Sequence, residues 1–172
     1  SDSVRTSMQK DAKKLNAALL VDRETSRETE NEFIRRLNRV QPKIEPWLMS
    51  QLDVLACERD MLQSATTLSE LAGEHVLNEH SPPSDRVVNQ LLEVRGLFGD
   101  AFAELAGETI PDNKRTSASP LDDLERALDH LTELILEDLY AGDRSTKNTS
   151  IMVAIVLEMR DVHRELRRAA AW

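Results

Sequence analysis

The chain is predicted to be all-α, a six-helix bundle, and three observations carry that prediction. Apolar residues return at steps of three and four along almost every segment, which lines one face of a helix. Only five Gly and six Pro occur in 172 residues, while Leu, Ala, Glu and Arg, all good helix formers, are abundant. The breakers that do occur cut the chain into helix-length pieces. With only two Trp, one Tyr and three Phe, the core must be built from Leu, Val, Ala, Ile and Met.

The first helix is predicted over residues 4–21, with Met8, Ala12, Leu15 and Leu19 on one face. Lys10, Lys13 and Lys14 occupy its other faces, so it is expected at the periphery. Thr25 and Glu28 then have the spacing of a capping box, which predicts the start of a second helix. That helix meets the core through Phe33, Ile34, Leu37 and Val40 before Pro42 and Pro46 break it.

The third helix, over about 45–78, carries the most regular stripe: Trp47, Ser50, Val54, Cys57, Met61, Ser64, Leu68, Leu71 and His75. Leu48, Leu52, Leu55 and Leu62 widen it. At about 1.5 Å per residue it exceeds about 45 Å, enough to set the length of a bundle. The turn HSPPS at 80–84 follows, and Ser84 with Asp85 is a ready cap for the fourth helix. Val87, Leu91, Val94, Phe98, Ala101 and Leu105 are its stripe.

Residues 107–119 are the longest stretch without helical pattern and are read as a linker near the midpoint. Ser119, Pro120 and Asp122 start the fifth helix with a cap, a first-turn proline and an acid near the positive dipole end. It uses Leu121, Leu124, Leu128, Leu131, Ile135 and Leu139, and Gly142 is expected to stop it.

The sixth helix, 145–172, is the one around which the others are expected to pack. Ile151, Ile155, Met159, Val162, Leu166 and Ala169 line one face, and Met152, Val153, Val156 and Leu157 add a second apolar row. Arg160, Arg164, Arg167 and Arg168 gather toward its end, where cations suit the helix dipole. The third and sixth helices are therefore predicted to be the central, most buried pair, with Leu62 and Leu157 in the core. Residues 1–172 form one domain, with two three-helix repeats expected at 1–82 and 84–172.

A net charge of −9 argues against nucleic acid, whose backbone calls for a basic footprint. Cys57 is the single cysteine, so no internal disulfide framework exists and a reducing, cytoplasmic location is expected. No apolar run approaches the roughly 20 residues that span a bilayer. The chain begins SDSVR without an initiator Met. It is read as a soluble piece of a longer protein whose other parts could include a membrane domain.

The residues that bear chemistry make no recognised catalytic pattern: there is no glycine-rich phosphate loop, zinc spacing or HExxH. Glu125 and Asp129 lie one turn apart with His130 beside them, but off the leucine stripe, as a solvated helix face does. His163 falls beside its stripe and is expected at a boundary or exposed; His75, in a core register, is expected at a satisfied boundary. Cys57 reads as a small hydrophobe. Arg35, Arg36, Arg39 and Lys43 form one basic patch and the last-helix arginines another. Either could meet phosphate or anionic lipid, but each is flanked by acids that balance it. A ferritin-like carboxylate-bridged enzyme would need Glu-x-x-His pairs, and the sequence has none.

Two stretches resemble one family. Residues 149–166, TSIMVAIVLEMRDVHREL, are similar to the closing helix of PhoU-type domains, especially those appended to bacterial sodium/phosphate cotransporters. The shared features are Thr149-Ser150, the apolar middle, and Arg160-Asp161-Val162 followed by Arg164. Residues 55–72, LACERDMLQSATTLSELA, resemble the equivalent helix of a first repeat, through Glu58-Arg59. The resemblance implies two three-helix repeats packed as a bundle. Relatives place an acid and, four residues later, Asp on these helices to hold metal clusters. Here Leu62 follows Glu58, His163 stands in place of the acid and Arg167 in place of the Asp. The metal sites are thus not carried over, and neither a bound metal nor another cofactor nor a catalytic residue is expected.

The resemblance implies a non-enzymatic regulatory or accessory domain linked to phosphate transport, partnered by a protein or by an attached membrane transporter domain at the cytoplasmic face of an inner membrane. The alternative is a sensor or adaptor bundle that dimerises or binds a partner. In that alternative the third and sixth helices offer a dimer interface, and it predicts a four-helix core with the first two helices packed on separately or swapped between chains.

Overall fold

The computed structural model describes residues 2–39, 46–77, 83–107, 119–141 and 146–171. They form five helices and no strand: α1 (Asp2–Arg39), α2 (Pro46–Leu77), α3 (Asp85–Leu105), α4 (Pro120–Tyr140) and α5 (Thr146–Ala170). The all-α class is as predicted, but the count of six is not, because the first two predicted helices are one continuous helix of 38 residues. Residues 2–39 contain neither Gly nor Pro to interrupt it. Thr25 does not cap a new helix; its hydroxyl donates back to the Val21 carbonyl at 3.0 Å, and Thr29 does the same to Thr25 at 2.9 Å. Such back-bonding lets a capping residue sit inside a helix.

The other starts follow the sequence closely. Pro46 opens α2, where its missing N–H costs nothing. Ser84 Oγ accepts from Val87 N–H to cap α3, and Ser119 Oγ accepts from Leu121 N–H to cap α4. Gly107 follows α3 with φ +76°, the left-handed turn that glycine enters most easily. Pro42, Lys43, the body of the 107–119 linker and the stop expected at Gly142 lie outside the described residues.

In space the helices follow the order α1, α2, α5, α4, α3, each packed on the next. Neighbours run antiparallel, as the pairs Arg59–Glu30 with Arg23–Gln63, and Arg160–Asp129 with Arg167–Asp122, require. α3 curls back far enough to touch α5 lightly, whereas α2 and α3 do not pack on one another. The result is a four-helix core, α2 to α5, open along one side, with α1 laid against the outside of α2.

α5 touches α2, α4 and α3 and is the central helix, as its two apolar rows foretold. The most enclosed pair is nevertheless α4 with α5, not α2 with α5. Leu124, Leu128 and Leu131 of α4 and Leu166 of α5 are fully buried, joined by Val87 and Val94 of α3. α2 does pack on α5, but its own enclosed positions are Cys57, Ser64, Thr66 and Ser69, small or polar side chains. The second row of α5 divides: Met152 and Val156 go inward, while Leu157, about 100° further round the helix, is 57% exposed. Leu62 is half-buried. Neither leucine is in the core where the sequence placed it.

α1 docks through Asn16, Leu19, Ser26, Glu30 and Phe33, the positions of a three-four repeat that are least exposed. Ser26 is the most enclosed of them. This seam is mostly polar and is held by Arg59–Glu30 and Arg23–Gln63, so α1 contributes little to the hydrophobic core.

Candidate functional site: an apolar cleft on the open side

The gap between α2 and α3, floored by α5, is a cleft of about 520 Å³. α2 supplies Met61, Leu62, Ala65 and Leu68 to one wall. α3 supplies Leu91, Val94, Phe98 and Phe102 to the other, and Met159 and Val162 of α5 form the floor. Its charged members are Glu58 from α2 and Arg95 from α3. The volume falls within the range of small-molecule and peptide sites, and the lining has their apolar character.

The same stripe residues that predicted the helices build this cleft. In α3, Val87, Val94 and Ala101 are enclosed, while Leu91 and Phe98, one turn after Val87 and Val94, are half-buried and turn toward the gap. Periodicity reports that a face is apolar; it does not report whether a helix or a void lies opposite. That is why the sequence reading missed the cleft.

The charged candidates sit elsewhere. Arg160 donates to Asp129 at 2.6 Å and to Thr132 at 3.1 Å. Arg167 reaches both Asp122 and Glu125 of α4. Arg164 pairs with Asp161, and Arg168 joins Glu165 to Asp53 of α2. Arg160, Arg167 and Arg168 are therefore rivets between α5 and its two main neighbours, while Arg164 pairs within α5. Glu125 and Asp129 are their counter-charges, and His130 lies 3.7 Å from Glu133. Arg35 and Arg36 both pair with Glu32. Among the described residues no group of three or more His, Cys, Asp or Glu side chains converges as metal ligands do.

His163 is a correction. It is 7% exposed, enclosed between α4 and α5, with Nε2 3.0 Å from the Leu121 carbonyl. Arg167 Nε approaches the same ring nitrogen at 3.3 Å. A neutral imidazole nitrogen either donates or accepts, and the shorter contact to a carbonyl places the proton on Nε2. Burial holds the ring below the usual histidine range, the Leu121 bond opposes that, and the Arg167 charge adds to the lowering. The sequence put it at a boundary because it lies beside the α5 stripe; the wide contact with α4 encloses it.

Cys57 is enclosed as expected, and its thiol also donates to the Glu165 carbonyl at 3.1 Å, tying α2 to α5. His75 is half-buried. Gln90 was not singled out in the sequence, yet it is buried and donates to the Ala127 carbonyl at 3.3 Å, joining α3 to α4. Its only sequence signal was a polar residue three after Val87, within the buried register.

No helix among the described residues is long and apolar enough to cross a membrane. No protein-family model, no curated protein and no solved structure matches the chain.

Proposed function

We propose that this chain is a helical adaptor or sensor bundle that works by binding a partner in the cleft between α2 and α3. The observation that carries this reading is the cleft itself: an apolar trough on the open side of an otherwise closed four-helix core. Exposed apolar surface of this kind marks sites of association. The separate docking of α1 on a four-helix core suits this reading. A photo-cross-linking residue at Phe102, in the cleft, is expected to capture a discrete partner in the native cell, whereas one at Glu133, on the outer face of α4, captures none. Equal yields from the two positions would end the reading.

An accessory role in phosphate transport keeps the support of the two PhoU-like stretches, which lie side by side here through Cys57 and Glu165. The five-helix count leaves that role resting on those stretches alone. Unchanged phosphate uptake on deletion of the chain would remove it.

A further inference from the structure

Resting on the partner-binding reading, we propose that the cleft takes an amphipathic helix of a protein partner. That helix has an apolar stripe flanked by acid on one side and base on the other.

The first support is the shape of the apolar surface. The cleft runs from Glu58 to Leu68 on α2 and from Leu91 to Phe102 on α3, about 15 Å or three helical turns along each wall. Beyond its lip Val88 and Leu92 are exposed, and Phe102 at its end is partly exposed too. With Arg95 and Gly99 they form one row on α3 at steps of four and three, about 21 Å long. A small apolar molecule would fill the cleft and leave the outer part of this row, Val88 and Leu92, in water. A helix laid in the trough covers both, with anchors at the usual three-four spacing. Met61 and Met159 supply adaptable contact at its centre.

The second support is charge. Glu58 on the α2 lip and Arg95 on the α3 lip have no ion-pair partner among the described residues. Arg86, at the start of the same α3, reaches both Glu137 and Asp138. A partner helix that sets a carboxylate against Arg95 and an ammonium against Glu58 matches both lips. Turning that helix end for end exchanges its flanks, so the two lips also fix the direction in which it lies.

The test uses the full chain and three fluorescent 18-residue peptides that share one leucine stripe. One has Glu on one flank and Lys on the other, one has Glu on both, and one has Lys on both. Anisotropy is expected to rank the mixed peptide first by about tenfold. In Arg95→Glu, a surface change that does not threaten folding, both lips are acidic and the Lys peptide should rank first. An unchanged ranking in that variant overturns the proposal, as does absence of peptide binding. Ala65→Trp, which fills the trough, separates the two levels of inference. If no peptide binds but dodecanoate does, and Ala65→Trp blocks it, the cleft reading stands and the helix proposal falls. If Ala65→Trp alters no binding at all, the cleft reading falls too. A concentration-dependent dimer abolished by Ala65→Trp in light scattering would replace the partner helix with a second copy of this chain.

Discussion

His163 Nε2 lies 3.0 Å from the carbonyl of Leu121, so the first turn of α4 is fastened to α5 by a histidine whose burial favours the neutral ring. Its folded pKa is below its usual value of 6.5. The unfolded chain therefore binds more protons between the two values, and stability rises with pH through that window. The contribution is full above about pH 6.5 and is lost as pH falls toward the folded value. Urea midpoints should decrease on acidification from about pH 7 to about pH 5. His163→Gln, which keeps a donor for Leu121, should flatten that slope. A slope equal in the variant would show that other groups govern it.

The enclosed leucines of α4 and α5 should dominate stability. Leu128→Ala or Leu166→Ala should cost on the order of 2–5 kcal/mol, as large-to-small changes in cores do. Leu157→Ala, at an exposed position, should stay within about 0.5 kcal/mol of the parent. Urea unfolding of the three variants checks the ordering.

Cys57 should be chemically inert in the folded protein. Burial, the bond to Glu165 and nearby acids push its thiol up to about 11, and the side chain is 1% exposed. Reaction with a disulfide reagent near neutral pH should be slow and should accelerate sharply in denaturant. Rapid labelling of the native protein would contradict the α2–α5 packing.

α1 should be the least protected helix. Its seam is largely polar, and the side-chain oxygen of Asn16 is buried there without a hydrogen-bond partner among the described residues. Amides of residues 10–36 should exchange faster than those of α4, because local opening follows the scarcity of buried apolar contact. Asn16→Leu should slow that exchange by removing an unsatisfied group.

Metal should not stabilise the bundle. Arg167, which the family resemblance would set in place of a metal-binding Asp, engages Asp122 and Glu125. Equilibrium dialysis with iron, manganese and zinc should find no chelator-resistant ion, and the melting temperature should not rise with any of them.

The sequence was enough for the helical class, the caps at Ser84 and Ser119, and the leucine stripe of α4. Local backbone preference, capping and a period of 3.6 are written in neighbouring residues. It also foretold that α5 would be surrounded, because two apolar rows need two neighbours. What each face meets was settled by packing between helices far apart in the chain. Thr25 continues a helix because no breaker precedes it and its hydroxyl finds the Val21 carbonyl. Leu157 faces water while His163 is enclosed against the first turn of α4, although both stand beside the main apolar stripe of α5. The cleft exists because α2 and α3 stop short of each other, a distance set by the packing of both on α5 and α4 rather than by any residue along either helix.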